Sequence, residues 1–231
     1  MFLKIGGFGL LFSTSVSYAM SISPVLVDLT PQKKVVSITL VNTSDQKLRY
    51  QANSLSWVQV DGKNHYQESK ELLVVPPMVE IVPGATQIFR VTPRYPQSNK
   101  VEKSYRLILE NLTAEIPSSS IKANEIIFRI SHDIPVFIAP VHQTNISSRW
   151  LQCKAPTGQG CIRIENTGNQ RIHFSDVHIQ GKDWRQDLKV NDTILAGAWK
   201  QWTYDLPSNG STPIKIQLKT ANGMIEPVQY P

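Results

Sequence analysis

Nearly every apolar stretch of this chain carries its residues in the alternating, β-branched pattern of a strand, and clusters of turn formers cut that pattern at short intervals. Residues 24–29, 35–41, 48–60, 72–75, 86–92, 104–112 and 125–138 are rich in Val, Ile, Leu, Tyr and Thr. Asn42-Thr43-Ser44-Asp45, Asp61-Gly62-Lys63-Asn64, Pro76-Pro77 and Pro83-Gly84 punctuate them. No amphipathic helix interrupts the series. Seven such strands in about 115 residues have the count and spacing of an immunoglobulin-like sandwich.

A second series follows at 150–154, 161–165, 171–180, 186–190, 199–204, 214–218 and 224–228, with turns at Asn166-Thr167-Gly168-Asn169 and Ser208-Asn209-Gly210. Between the two lie Pro140 and the polar stretch Val141-His142-Gln143-Thr144-Asn145, read as a linker. The chain is therefore expected to be all-β, with two tandem immunoglobulin-like sandwich domains, one at 20–140 and one at 141–231. One large barrel would suit a strand-only pattern too, but not the mid-chain break.

The first residues order themselves as a basic start at Lys4, an apolar run from Ile5 to Phe12, and small residues ending at Ala19. That is the order of a secretory signal peptide, 1–19, cut after Ala19. The apolar run is too short for a permanent span, and no later segment reaches about 18 uninterrupted apolar residues, so no membrane segment is expected in the mature chain. Export places Cys153 and Cys161 in an oxidising compartment, where a disulfide stapling a hairpin is expected. A metal site or catalytic thiol would need companion ligands: there is no CxxC, and His173 and His178 fall in another strand.

Several function classes find no support. There is no GxSxG elbow, HExxH, phosphate-cradling glycine loop or cluster of carboxylates, so neither an enzyme nor a metal or nucleotide cofactor is expected. His173, Asp176 and His178 are the nearest approach to a constellation. The odd spacing of the two histidines is expected to turn them to opposite faces of a strand. The formal charge of +6 comes without a Lys/Arg-rich run or aromatic-basic interleaving, which excludes a nucleic-acid groove.

One strand stands apart. In the run from Ile126 to Phe137, the even positions Ile126, Phe128, Ile130 and Ile134 form a single apolar row. On periodicity alone the row faces the domain's own core or is offered to another protein, and an exposed row of this kind would aggregate without a partner.

Val74-Val75-Pro76-Pro77, followed by Ile81-Val82-Pro83-Gly84 and Ile88-Phe89-Arg90-Val91, resembles the periplasmic chaperones of the chaperone/usher pilus pathway. Ser23-Pro24-Val25-Leu26-Val27-Asp28-Leu29, Tyr105-Arg106-Leu107 and Ile134-Pro135-Val136-Phe137 are similar to the archaic branch of that family, whose members build Csu-type pili. The order and spacing of these segments carry the resemblance, which is strongest in the first domain. It implies two immunoglobulin-like domains in a boomerang arrangement, a periplasmic location, no enzymatic activity and no cofactor. The implied partners are pilus subunits and an outer-membrane usher.

The resemblance further implies that the last strand of the first domain completes a pilus subunit's fold, with Ile126, Phe128 and Ile130 as donor residues. Members of the family's classical branch also anchor the subunit's terminal carboxylate through an Arg on the first strand and a Lys on the last. Leu26 and Pro135 stand in those places here, and Arg106 is the candidate replacement. Arg90 and Glu102 align with residues that fix the interdomain angle, whereas the second-domain acid of that network is replaced near Asn222. The competing reading is an exported two-domain adhesion or carbohydrate-binding module, with Trp150, Trp184, Trp199 and Trp202 as a sugar-stacking platform.

Overall fold

The computed structural model describes residues 20–113, 131–206 and 212–230. The expected leader at 1–19 and the expected donor residues Ile126, Phe128 and Ile130 lie outside them. The described residues form eighteen strands and no helix. In chain order these are β1 (Ser21–Ser23), β2 (Val27–Leu29), β3 (Val36–Val41), β4 (Leu48–Val60), β5 (Lys63–Glu68), β6 (Leu72–Val75), β7 (Met78–Ile81), β8 (Thr86–Pro93) and β9 (Lys103–Asn111). They continue as β10 (Ser131–Ile138), β11 (Ser148–Gln152), β12 (Gln159–Asn166), β13 (Ile172–Gln180), β14 (Arg185–Ile194), β15 (Trp199–Asp205), β16 (Lys215–Thr220), β17 (Gly223–Ile225) and β18 (Val228–Gln229).

The strands up to β10 build two sheets, ordered β1-β3-β8-β6 and β2-β10-β9-β4-β5, with β7 also pairing with β4. Between β1 and β2 the chain crosses from one sheet to the other at Pro24, which has no N–H to continue the first ladder. Alternation does the rest. Ile38 and Leu40 of β3, Phe89 and Val91 of β8, and Leu107 and Leu109 of β9 are fully buried between the sheets, each worth about 1.5–3 kcal/mol of transfer free energy. The later strands form β15-β12-β11-β18 and β14-β13-β16-β17 around Trp150, Ile162, Ile164, Phe174 and Leu218. Cys153 and Cys161 are disulfide-bonded across the β11–β12 hairpin, with Cα atoms 4.9 Å apart.

Three strands escape the sequence pattern, β5, β7 and the three-residue β1. All six positions of β5 are exposed, so it has no apolar row to announce it. It exists because β4 overhangs its neighbours and turns back through Asp61 and Gly62, whose φ angles of 49° and 74° suit a two-residue hairpin turn. β7 is likewise short, pairing with the start of β4.

The expectation that His173 and His178 face opposite sides is corrected. The register of β13 against β14 shifts between Phe174 and Asp176, and the buried row steps from Ile172 and Phe174 to Val177 and Ile179. Both histidines consequently lie on the outer side. They meet different partners: His173 contacts the Thr193 hydroxyl and His178 the Asp187 carboxylate.

The β4–β5 turn packs on the second half of the chain. A Cβ at Gly62 would stand 2.9 Å from the Trp199 ring, on which the Arg163 guanidinium also rests at 3.7 Å. Gly62→Ala therefore combines a left-handed backbone with a steric conflict. Its expected cost is about 2–3 kcal/mol, falling to about 1–2 kcal/mol in a Trp199→Ala background where the clash is gone. Denaturant unfolding of the four proteins in that cycle checks it.

Candidate functional site

Strand β10 is paired unequally on its two sides. Antiparallel pairing with β9 runs along its whole length, from Ser131↔Glu110 to Ile138↔Lys103. Parallel pairing with β2 covers only Val136 to Ile138. From Ser131 to Pro135 the second edge has no strand partner among the described residues, leaving backbone groups available for an added strand. Pro135 is tolerated because it sits where pairing with β2 gives out. The inward side chains are His132, Ile134, Val136 and Ile138, so Ile134 of the predicted row is a core residue, 2% exposed. Ile126, Phe128 and Ile130, the donor residues expected from the sequence, share its parity but lie outside the described residues.

The outer face of this sheet borders a cleft of about 950 Å³ lined by both halves of the chain, Leu26, Pro135 and Arg106 among them. Along its floor, two adjacent rings are flanked by two cations. The Arg106 guanidinium lies 4.7 Å from the Trp57 ring centre, Trp57 lies 5.8 Å from Phe137, and the Arg171 guanidinium lies 3.6 Å from Phe137. Strand register explains why Arg106 is the outer member at this end: it stands beside Pro135 on one side and Leu55 on the other, one step along the same face from the row holding Phe137 and Trp57. Arg106 also forms an ion pair with Asp133 at 3.2 Å, without hydrogen-bond alignment at its buried Nε. A guanidinium held over aromatic rings keeps a planar fork suited to a carboxylate.

Glu102 and Arg90 are not brought together. Glu102, with its side chain 2% exposed, accepts from Arg171 Nη1 at 2.6 Å and from the Arg171 backbone N–H at 3.0 Å. Arg171 Nη2 reaches Asp28 of β2 at 2.7 Å. Arg90 points outward from β8 in the opposite sheet, and no ion pair joins it to Glu102. The cation of the joint is thus Arg171, which sequence reasoning missed: a single arginine after a turn has no periodic signature. Asn222 lines the cleft but contributes no described contact to this network. Gln59 adds a second tie, its amide donating to the Thr193 carbonyl at 2.8 Å and accepting from Leu195 N–H at 2.9 Å.

The tryptophans are engaged internally. Trp150 is buried, Trp202 meets Phe174 edge-on, Trp184 stacks on Tyr204, and Trp199 lies against Gly62 and Arg163. They do not form a shared exposed platform.

Residues 19–143, more than half of the chain, match the family described as "Pili and flagellar-assembly chaperone, PapD N-terminal domain". Curated protein sequences gave no match. Among solved structures, the CsuC–CsuE chaperone–tip adhesion subunit pre-assembly complex from archaic chaperone-usher Csu pili of Acinetobacter baumannii matches at TM-score 0.70 and 20% identity, over 92% of this chain and 100% of that one. The class 5 fimbriae chaperone CfaA matches at 0.63 and 17%, over 92% and 100%. The Salmonella enterica SafA pilin–SafB chaperone complex matches at 0.61 and 13%, over 94% and 98%. At these identities the likeness is one of fold, the two-domain immunoglobulin-like fold expected from the sequence.

Burial holds the Glu102 carboxyl above the ordinary carboxylate range, against the pull of Arg171. The folded state therefore binds this proton more tightly than the unfolded chain, and stability falls as pH rises from the ordinary value through the raised one. Glu102→Gln is expected to flatten that part of the profile, and unfolding midpoints between pH 4 and 7 measure it.

Proposed function

The chain belongs to the family of pili and flagellar-assembly chaperones, and we propose that it captures pilus subunits by lending them a strand and passes them to an outer-membrane usher. Its family and fold are those of assembly chaperones, not enzymes. The family is periplasmic, in keeping with a leader at 1–19 followed by domains at 20–140 and 141–231. Among the described residues no helix is long and apolar enough to cross a membrane.

The half-open edge of β10 carries the reading. Extension of this strand toward its N-terminal side would present Ile126, Phe128 and Ile130 to a subunit lacking its final strand. Backbone bonds would supply affinity and the three side chains would fill pockets, at about 1.5–3 kcal/mol each before ordering costs. A subunit completed in this way would be protected from premature polymerisation and released later to the stronger strand of the next subunit, with no nucleotide required. The adjoining cleft supplies the second element. A carboxylate at the subunit's end needs a cation when it leaves water, and Arg106 lies on the cleft floor beside β10.

Periplasmic co-expression with a candidate pilin tests both elements. Wild type is expected to yield a one-to-one complex. Phe128→Asp, which would bury a charge, is expected to abolish it, and Arg106→Ala to weaken it by about 30-fold or more. Circular dichroism of the free variants confirms folding. Equal capture by wild type and Phe128→Asp would remove the donor-strand assignment, and equal capture by Arg106→Ala would move the anchor elsewhere.

A further inference from the structure

The two cations that flank the rings of the cleft floor are held very differently. Arg171 is committed: its guanidinium and backbone N–H donate three hydrogen bonds of 2.6 to 3.0 Å to Glu102 and Asp28. Arg106 is not. Its carboxylate partner among the described residues is Asp133, 3.2 Å from Nε, and that buried Nε has no hydrogen-bond acceptor there. Two rings border the same guanidinium, Trp57 at 4.7 Å and Tyr66 at 6.0 Å.

As a stabilising contact the Arg106–Asp133 pair is poor. It lacks alignment, and the Asp133 side chain is 50% exposed against 23% for Arg106. Ion pairs of this kind contribute little to folding. As an occupant of the anchor the same pair is coherent. The unequal exposure decides which partner leaves: Asp133 regains water when the pair opens, whereas Arg106 stays among the rings with a buried donor to satisfy. Register sets Asp133 opposite Ile108, one step along the same face from the Pro135↔Arg106 pair. It therefore stands on the segment of β10 whose second edge has no strand partner among the described residues. A carboxylate arriving at Arg106 meets a like charge close by, and one guanidinium does not neutralise two carboxylates.

We propose that Asp133 is a built-in competitor for the anchor: it occupies Arg106 in the free chaperone, is displaced by the subunit's terminal carboxylate, and so limits the affinity of capture. This rests on the subunit-capture reading and adds the regulation of its anchor. A limited affinity suits a chaperone that hands its subunit on. The test sets purified wild type against Asp133→Asn, each with a different affinity tag, in competition for a limiting amount of the candidate pilin. The complexes are sorted by tag at equilibrium. Asp133→Asn is expected to hold about three- to fivefold more pilin than wild type. Asp133→Ser, also uncharged, is expected to gain equally, and circular dichroism checks that both variants fold. Between Arg106→Ala and the double variant Arg106→Ala/Asp133→Asn the shares are expected to be equal, because the competitor has no cation left to occupy. Equal shares for wild type and the uncharged variants, a larger share for wild type, or a gain that persists without Arg106 would each overturn the competitor role while leaving capture itself standing. Absence of any complex, even with wild type, would remove the capture reading and this inference with it.

Discussion

Strand β10 satisfies three neighbours at once, and the remaining architecture is arranged around it. Its even residues Ile134, Val136 and Ile138 are packed in the core of the first sandwich. Its odd residue Phe137 is packed with Trp57 in the cluster that contains Trp150 and Phe174 of the second. Its second edge pairs with β2 over Val136–Ile138 and has no other strand partner among the described residues. Because side chains alternate with a period of two, a slip of one residue would exchange the two faces, removing the first core and the domain joint together. The register is therefore held on both faces, while one edge stays available. A strand anchored in this way can accept a partner without losing its own place.

The joint between the two halves is polar where it meets β2 and apolar where it meets Phe137. Arg171 spans the two, resting on the Phe137 ring while binding Glu102 and Asp28. Such a pair contributes little net stability when set against an apolar substitute, but removing one partner leaves a buried charge and costs about 3–5 kcal/mol. Its physical effect is geometric: a planar fork satisfied in two directions fixes the relative position of β2, the entry to β9 and the start of β13. The Gln59 amide, paired with the backbone at Thr193 and Leu195, fixes a second point. Two separated ties define the cleft between the halves better than an apolar contact alone, which permits sliding.

The gaps in the sequence reading have particular causes. β5 has no apolar alternation, because it is an exposed ladder extending an overhang of β4. The two histidines share a side because a register irregularity intervenes, and an irregularity of one residue has no compositional mark. Glu102 is paired in the joint not with Arg90 but with a cation from the other half of the chain. A residue 69 positions away that pairs with it cannot be identified from spacing. Arg106 was placed by its neighbour on β10, yet its stacking on Trp57 depends on the lateral register of β4 against β9.

By itself, the sequence determined the strand-only architecture, the hairpin turns, the parity of the apolar rows in strands without a register shift, and the cysteine pair. All of these follow from local rules: alternation, the φ preferences of Gly, Asn and Pro, and proximity along the chain. Only the tertiary structure decided which edge of β10 remains open, which cations line the cleft, and that Arg171 closes the joint. Those outcomes depend on how whole sheets stack and in what lateral order their strands lie. Many lateral orders satisfy the same alternation, and the choice among them belongs to long-range packing and burial of charge.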